Sequence, residues 1–484
     1  MPIIGGRQIG VRGLGFQGAG KPSVPTSVSA TDVGTSRAFN NGAADVTWVA
    51  PSSNGAPISS YTVLSSPGGY TATTSSTSVQ VTGLQSSTQY TFTVTATNAV
   101  GTSDASSASA AMTATTVPQA PTIGTATGGS ASATVTYTAN ATGGKAATYT
   151  ATSSPGSFTG TGASPITVSG LSNGTAYTFT VTATNANGTS TASAASNSVT
   201  PQLPAPSTIE ILMVGGGGSG GSGGTGSADG AGGGGAGGLL YGATVSVSPS
   251  TNYTLTIGAG GPAQNALKTI GSVGSDTVFG SANAYGGGAG HQPNGTGGSG
   301  GSGGGGSGST TQTNFTGLTG FGFNGGANAG GGPPYTGAGG GGSGGAGGVQ
   351  KSNGNGGIGK AYSISGSSNF YAAGGGGGYR DGFGGVSSGG YASGIGGRGG
   401  VGGSNTVLTA SSAGTASTGS GGGGGGPAQN TYGSGAGGGS GIIIMKYADS
   451  SRALTVGAGI GYNATTSGGS RLYTFNSGTG NVSW

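Results

Sequence analysis

Few residues in this chain could do chemistry. Of 484 residues only 4% are charged, and none is cysteine. Without cysteine there is no disulfide, no thiol nucleophile and no cysteine-ligated zinc. The single histidine, His291, sits in Gly-Ala-Gly-His-Gln-Pro, a lone loop position with no sequence partner for acid–base work. The eight acids are Asp32, Asp45, Asp104, Glu210, Asp229, Asp276, Asp381 and Asp449. None stands within three residues of another, so neither an acidic calcium loop nor a local carboxylate pair is written into the chain. Glycoside hydrolysis ordinarily needs two placed carboxylates, and this supply is thin. No catalytic residue, metal ligand or cofactor is assigned, and a non-enzymatic protein is expected. The 13 basic residues are scattered without a run, which gives no support to a nucleic-acid groove. Groups suited to recognition are present instead. Tyr335, Tyr371, Tyr379 and Tyr391 are rigid amphipathic rings in glycine-rich surroundings, the kind of group that dominates contact surfaces. Packing at the end of a domain is the other reading of the same rings.

The chain falls into five segments. Residues 1–23 contain Ile3, Ile4, Arg7, Ile9, Val11, Arg12, Leu14 and Phe16, apolar groups without periodicity and bases without acids. This reads as an arm that orders on docking to a partner protein. Residues 24–117 and 118–202 are two copies of one unit. Tyr90–Ser103 and Tyr177–Ser190 are identical at 13 of 14 positions. In each, Tyr, Phe, Val and Ala alternate with threonine, the period of a half-buried strand. Val46–Val49, Tyr61–Val63 and Ser78–Val81 have counterparts in Val135–Tyr137, Tyr149–Thr150 and Pro165–Val168. Asn, Gly, Pro and Ser separate them at the spacing of a sandwich. A leucine stands six residues before each tyrosine, Leu84 before Tyr90 and Leu171 before Tyr177. This resembles the tyrosine corner of immunoglobulin-like folds. With Trp48 and the Asn-x-x-Gly endings at Asn98 and Asn185, both units resemble fibronectin type III domains. Tyr137 takes the tryptophan position in the second. A stiff linker, Thr200–Pro206, follows.

Residues 203–447 form the glycine-rich segment, with 90 of the 122 glycines between 207 and 447. Gly/Ser runs usually mark flexible linkers. Here large apolar residues interrupt them, Tyr253–Ile257 alternates as a strand, and aliphatic runs at Ile209–Val214 and Ile442–Tyr447 frame the region. A folded domain is expected, with the two border runs paired. Glycine cannot supply a side-chain core, so polyproline-II-like segments must bond laterally, main chain to main chain. The tail, 448–484, reads as a β-hairpin turning at Ser477–Gly480, with a further strand at Ala453–Val456 and a packed Trp484.

Five segments carry a further resemblance: Ile209–Gly218, Gly232–Tyr241, Tyr253–Gly261, Ser275–Gly280 and Gly441–Tyr447. Together they resemble the glycine-rich domain of bacteriophage tail-fibre and adhesin proteins. The resemblance implies a bundle of polyglycine helices whose distal loops recognise a host surface. The expected fold is all-β plus polyglycine-II: two tandem fibronectin type III sandwiches, then polyglycine-type helices framed by strands. The expected function is a phage virion structural protein, docked by its arm and touching a host-surface glycan or protein through the four tyrosines. A capsid-decorating protein with weak glycan adhesion is the alternative. Other virion proteins are the expected partners, a homo-oligomer is compatible, and neither nucleic-acid binding nor membrane insertion is expected. Met1–Gln8 lacks a signal-peptide core, consistent with synthesis in a host cytoplasm and exposure on the particle.

Overall fold

The computed structural model describes residues 18–225, 230–293, 297–305, 318–327, 337–349, 354–380, 394–402, 407–427 and 432–484. All regular structure among them is β-strand. The chain divides at Leu203/Pro204 into two compact units, within the proline-rich linker.

In the first unit, one sheet of the first sandwich orders Thr26–Asp32, Gly42–Val49 and Ser78–Leu84. The other orders Thr71–Thr74, Ile58–Ser66, Gln89–Asn98 and Gly101–Thr102, with Met112–Thr113 also on Gln89–Asn98. The alternation of Gln89–Asn98 is realised. Tyr90, Phe92, Val94 and Ala96 are buried, and the threonines between them are half-exposed. They pack on Val46, Trp48, Tyr61, Val63, Val81 and Leu84. Each large side chain buried here contributes roughly 1.5–3 kcal/mol.

The second copy repeats this design. Thr122–Gly128, Ser132–Thr138 and Ile166–Ser169 form one sheet; Thr159–Thr161, Thr148–Ser154, Thr178–Asn185 and Gly188–Thr189 form the other. Trp48 lies 5.3 Å from Tyr61, and Tyr137 lies 4.7 Å from Tyr149. The replacement keeps an aromatic pair, and the Tyr137 hydroxyl donates to Gly162 O at 3.0 Å. Both tyrosine corners form: the Tyr90 hydroxyl accepts the Gln85 N–H at 3.0 Å, and that of Tyr177 accepts the Ser172 N–H at 3.1 Å.

The second unit is built on a ten-stranded sheet. The opening strand Thr208–Val214 pairs antiparallel with the returning strand Ile442–Ala448, Ile211 opposite Met445 and Met213 opposite Ile443. The border runs therefore meet as expected. Both are continuous apolar runs because both sheet faces are covered. Ile209, Ile211, Met213, Ile443 and Met445 join one core cluster; Leu212, Val214, Ile442 and Ile444 join another.

The tail takes a different course from the hairpin read in the sequence. Ser470–Ser483 is one strand of 14 residues. Its first half lies between the returning strand and Ile460–Ser467. Its second half pairs with Tyr253–Thr256 and Thr455–Val456. Gly478, at φ +90°, marks the change of neighbours. The glycine signal at 477–480 is thus a kink within a strand. The tight turn is Gly468–Gly469, with both φ values positive. The tail is integral to the unit: Tyr473, Phe475, Val482 and Trp484 belong to its main core cluster.

Beyond the sheet, glycine backbones bond to one another with a repeat of three. Gly215, Gly218 and Gly221 donate to Gly238, Gly235 and Gly232. Gly216, Ser219 and Ser222 donate to Ser275, Ser272 and Thr269, while Gly217, Gly220 and Gly223 donate to Gly439, Ala436 and Gly433. All nine bonds measure 2.8–3.0 Å. The carbonyls of the same segment accept from three further segments: Gly216 and Ser219 from Gly287 and Gly290, Gly218 and Gly221 from Gly422 and Gly425, and Gly217 from Gly261. Six neighbours surround one glycine segment. A Cβ at Gly216 would run into the carbonyl of Ala259, and one at Gly218 into that of Gly288. The closeness of the backbones is what requires glycine here.

Candidate contact surface

The residues expected to meet a partner are distributed unevenly. Tyr335, Tyr391 and the arm residues Ile3, Ile4, Arg7, Ile9, Val11, Arg12, Leu14 and Phe16 lie outside the described residues. Tyr379 is half-exposed in a two-residue strand, its N–H bonded to Gly400 O at 3.0 Å. Tyr371 is a correction. It is buried among Leu212, Val214, Leu239, Ile442 and Ile444, and its carbonyl accepts the Ser343 hydroxyl at 3.0 Å. The ring lies against the sheet and takes the packing role. A short hairpin, Lys360–Tyr362 with Asn369–Tyr371, carries it there.

The same hairpin builds an aromatic and charged patch that sequence reasoning missed. Lys360 Nζ sits 3.1 Å from the Phe321 ring centroid, a cation–π contact. Tyr362 lies 4.6 Å from Tyr241, whose hydroxyl donates to Glu210 Oε1 at 2.9 Å. Glu210 also pairs with Lys446 at 3.3 Å. Burial pushes the Tyr362 phenol up to about 12, with the neighbouring Tyr241 adding to the shift. Burial likewise raises Tyr241, helped by Glu210, and lowers Lys360. The only signal in the sequence was aromatic and charged residues at distant positions, which periodicity does not connect.

His291 is wholly buried in the glycine lattice. Its Nδ1 lies 2.7 Å from Gln292 O, and its Nε2 accepts the Ala338 N–H at 3.3 Å. The two contacts define a neutral imidazole with the proton on Nδ1. Burial lowers its pKa, partly opposed by the bond to Gln292. The ring fills space beside Gly232, where a Cβ would strike it. Among the described residues no group of three His, Cys, Asp or Glu side chains could hold a metal ion.

A third tyrosine corner also emerges. The Tyr253 hydroxyl accepts the Ser248 N–H at 2.8 Å, at the five-residue separation of the two sandwich corners. Tyr253 stacks on Phe279 at 4.9 Å and meets Trp484 edge-on at 6.1 Å.

The profile of a glycine-rich domain family matches residues 193–448, more than half of the chain. The protein belongs to this glycine-rich domain family. The match takes in the framing strands and the three-repeat lattice. Within the same chain, residues 23–112 match the fibronectin type III domain, the first sandwich. No curated protein matches the chain. Among solved structures, the crystal structure of chicken CNTN1 FN1-FN3 domains is similar at 17% identity, covering 50% of this chain and 81% of that one, with a TM-score of 0.25. Titin kinase with its flanking domains is similar at 18% identity over 27% of this chain and 30% of that one, with a TM-score of 0.17.

Proposed function

We propose that this glycine-rich protein is a non-enzymatic structural protein of a bacteriophage particle, a tail fibre or adhesin. Residues 1–23 dock on other virion proteins, and loops of the glycine-rich domain touch a glycan or protein on the host surface. The observation that carries the reading is the repeat of three in hydrogen-bond partners around residues 215–223. Segments with three residues per turn, no internal hydrogen bonds and neighbours on all sides have the form of polyglycine-II helices. We read the second unit as a bundle of such helices capped by a sheet. Its rigidity comes from main chain, so its loops are free to vary and to carry recognition. The phage assignment itself rests on the sequence resemblance of the framing segments.

Two experiments test this. In virions labelled through the second sandwich, label at the tail is expected. Label over the head would replace the fibre reading with capsid decoration. For host contact, Tyr335→Ala, Tyr379→Ala and Tyr391→Ala in combination are expected to reduce adsorption, and unchanged adsorption would remove these loops from the proposal. Tyr371 is left out because its ring is core.

A further inference from the structure

Two hairpin turns of the second unit face each other across a small cleft. One joins Lys360–Tyr362 to Asn369–Tyr371, and the other is the Gly468–Gly469 turn before the closing strand. The cleft between them has a volume of about 330 Å³, at the small end of the range for ligand pockets. Its apolar lining is Ile364 and Leu472. Its polar lining includes Thr465, Ser467, Ser470 and Lys446. Glu210, Lys446, Leu472 and Thr465 stand in one row across four adjacent strands, which places them on one side of the sheet.

We propose that this cleft binds a neutral, hexose-sized sugar residue. The side-chain hydroxyls of Thr465, Ser467 and Ser470 form no hydrogen bond to any described residue. Each offers a donor and an acceptor to a polyol. Lys446 spends one contact on Glu210 and keeps other ammonium donors. That ion pair is held in place by the Tyr241 hydroxyl on Glu210, so the cleft carries no net charge. An anionic sugar would have to compete with Glu210 for the lysine, and a neutral one would not. Half-buried Leu472 supplies the apolar surface against which the C–H face of a pyranose packs, with the core residue Ile364 beneath it. At Gly468 and Gly469 nothing lies within 4 Å of an added Cβ, so the rim is open to a ligand. The volume suits one sugar ring rather than a peptide strand.

The test uses the full chain and saturation-transfer NMR with the methyl glycosides of glucose, galactose and mannose, and with N-acetylglucosamine. N-acetylneuraminic acid serves as the charged comparison. Transfer to at least one neutral sugar is expected. Ser467→Trp fills the cleft from its exposed rim and is expected to abolish it, while Val100→Ala, at an exposed position of the first sandwich, keeps it. Thr465→Val with Ser470→Ala removes two hydroxyls without adding bulk and is expected to weaken transfer; it decides the question if the tryptophan variant misfolds. No transfer to any neutral sugar, transfer only to the acidic sugar, or transfer indifferent to the cleft variants would overturn the proposal. The site does not depend on the particle to which the chain belongs. Sugar binding by the isolated protein and adsorption by virions therefore fail separately.

Discussion

At the scale of single residues, the protein exchanges side-chain packing for backbone proximity, and the two exceptional residue types make this measurable. A lattice glycine has carbonyls where its Cβ would be. Gly216→Ala is expected to cost about 1–3 kcal/mol or more in urea unfolding, through overpacking against Ala259. Gly345→Ala meets only the side chain of Ile358 and is expected to change little. Equal effects at the two positions would contradict a backbone-packed interior. His291 is the opposite exception, a large polar ring held neutral inside the lattice. Its folded pKa is lowered, so the unfolded chain binds the proton first as pH falls. Its contribution to stability is therefore complete above the ordinary histidine pKa of about 6.5 and is lost as pH drops below it. Protonation would also set an N–H on Nε2 against the Ala338 N–H. Thermal unfolding is expected to weaken between pH 8 and pH 5 in the native chain. His291→Gln should remove most of that difference while lowering stability at pH 8.

At the scale of elements, the sandwiches end in an unusual edge. Ser103, Ser106 and Ser109 each donate N–H to the carbonyls of Ala96, Val94 and Phe92. The serine hydroxyls accept the N–H groups of the same three residues at 3.0–3.1 Å. The segment advances three residues while the strand advances two, and each hydroxyl stands in for a backbone carbonyl. Ser190, Ser193 and Ser196 repeat this on Ala183, Val181 and Phe179. Ser106→Ala should leave the buried Val94 N–H without an acceptor and cost about 1–3 kcal/mol, read from chemical denaturation; a neutral result would make the hydroxyl ladder incidental. The Ser-x-x-Ser-x-x-Ser spacing is present in both copies, but a period of three carries no strand signal and so does not announce a sheet edge. The period-two strands, the tyrosine corners and the pairing of the border runs were legible because a side-chain pattern announces each of them. The closing strand was not. A glycine cluster at 477–480 looks locally like a turn, and only pairing with Tyr253–Thr256 makes it a kink.

At the scale of the whole molecule, two different ways of filling an interior stand in one chain. The sandwiches and the ten-stranded sheet exclude water with apolar side chains. The glycine lattice does so by bonding main-chain amides to the carbonyls of neighbouring segments. Amide hydrogen exchange of residues 215–223 is expected to be as slow as that of Thr208–Val214. Fast exchange there, beside a protected sheet, would show that the bonds do not hold in solution. Without coordinates, the chain already carries the order of sandwich and glycine-rich segment, the β character of the sandwiches and the need for lateral bonding among the glycines. Apolar periodicity, repeat identity and the absence of Cβ atoms are local properties that survive without coordinates. Tertiary structure alone decided which segment each glycine bonds, why Tyr371 is core and how Lys360, Phe321 and Tyr362 come together. Glycine has no side chain with which to encode a partner, so the partner is set by packing of the whole unit.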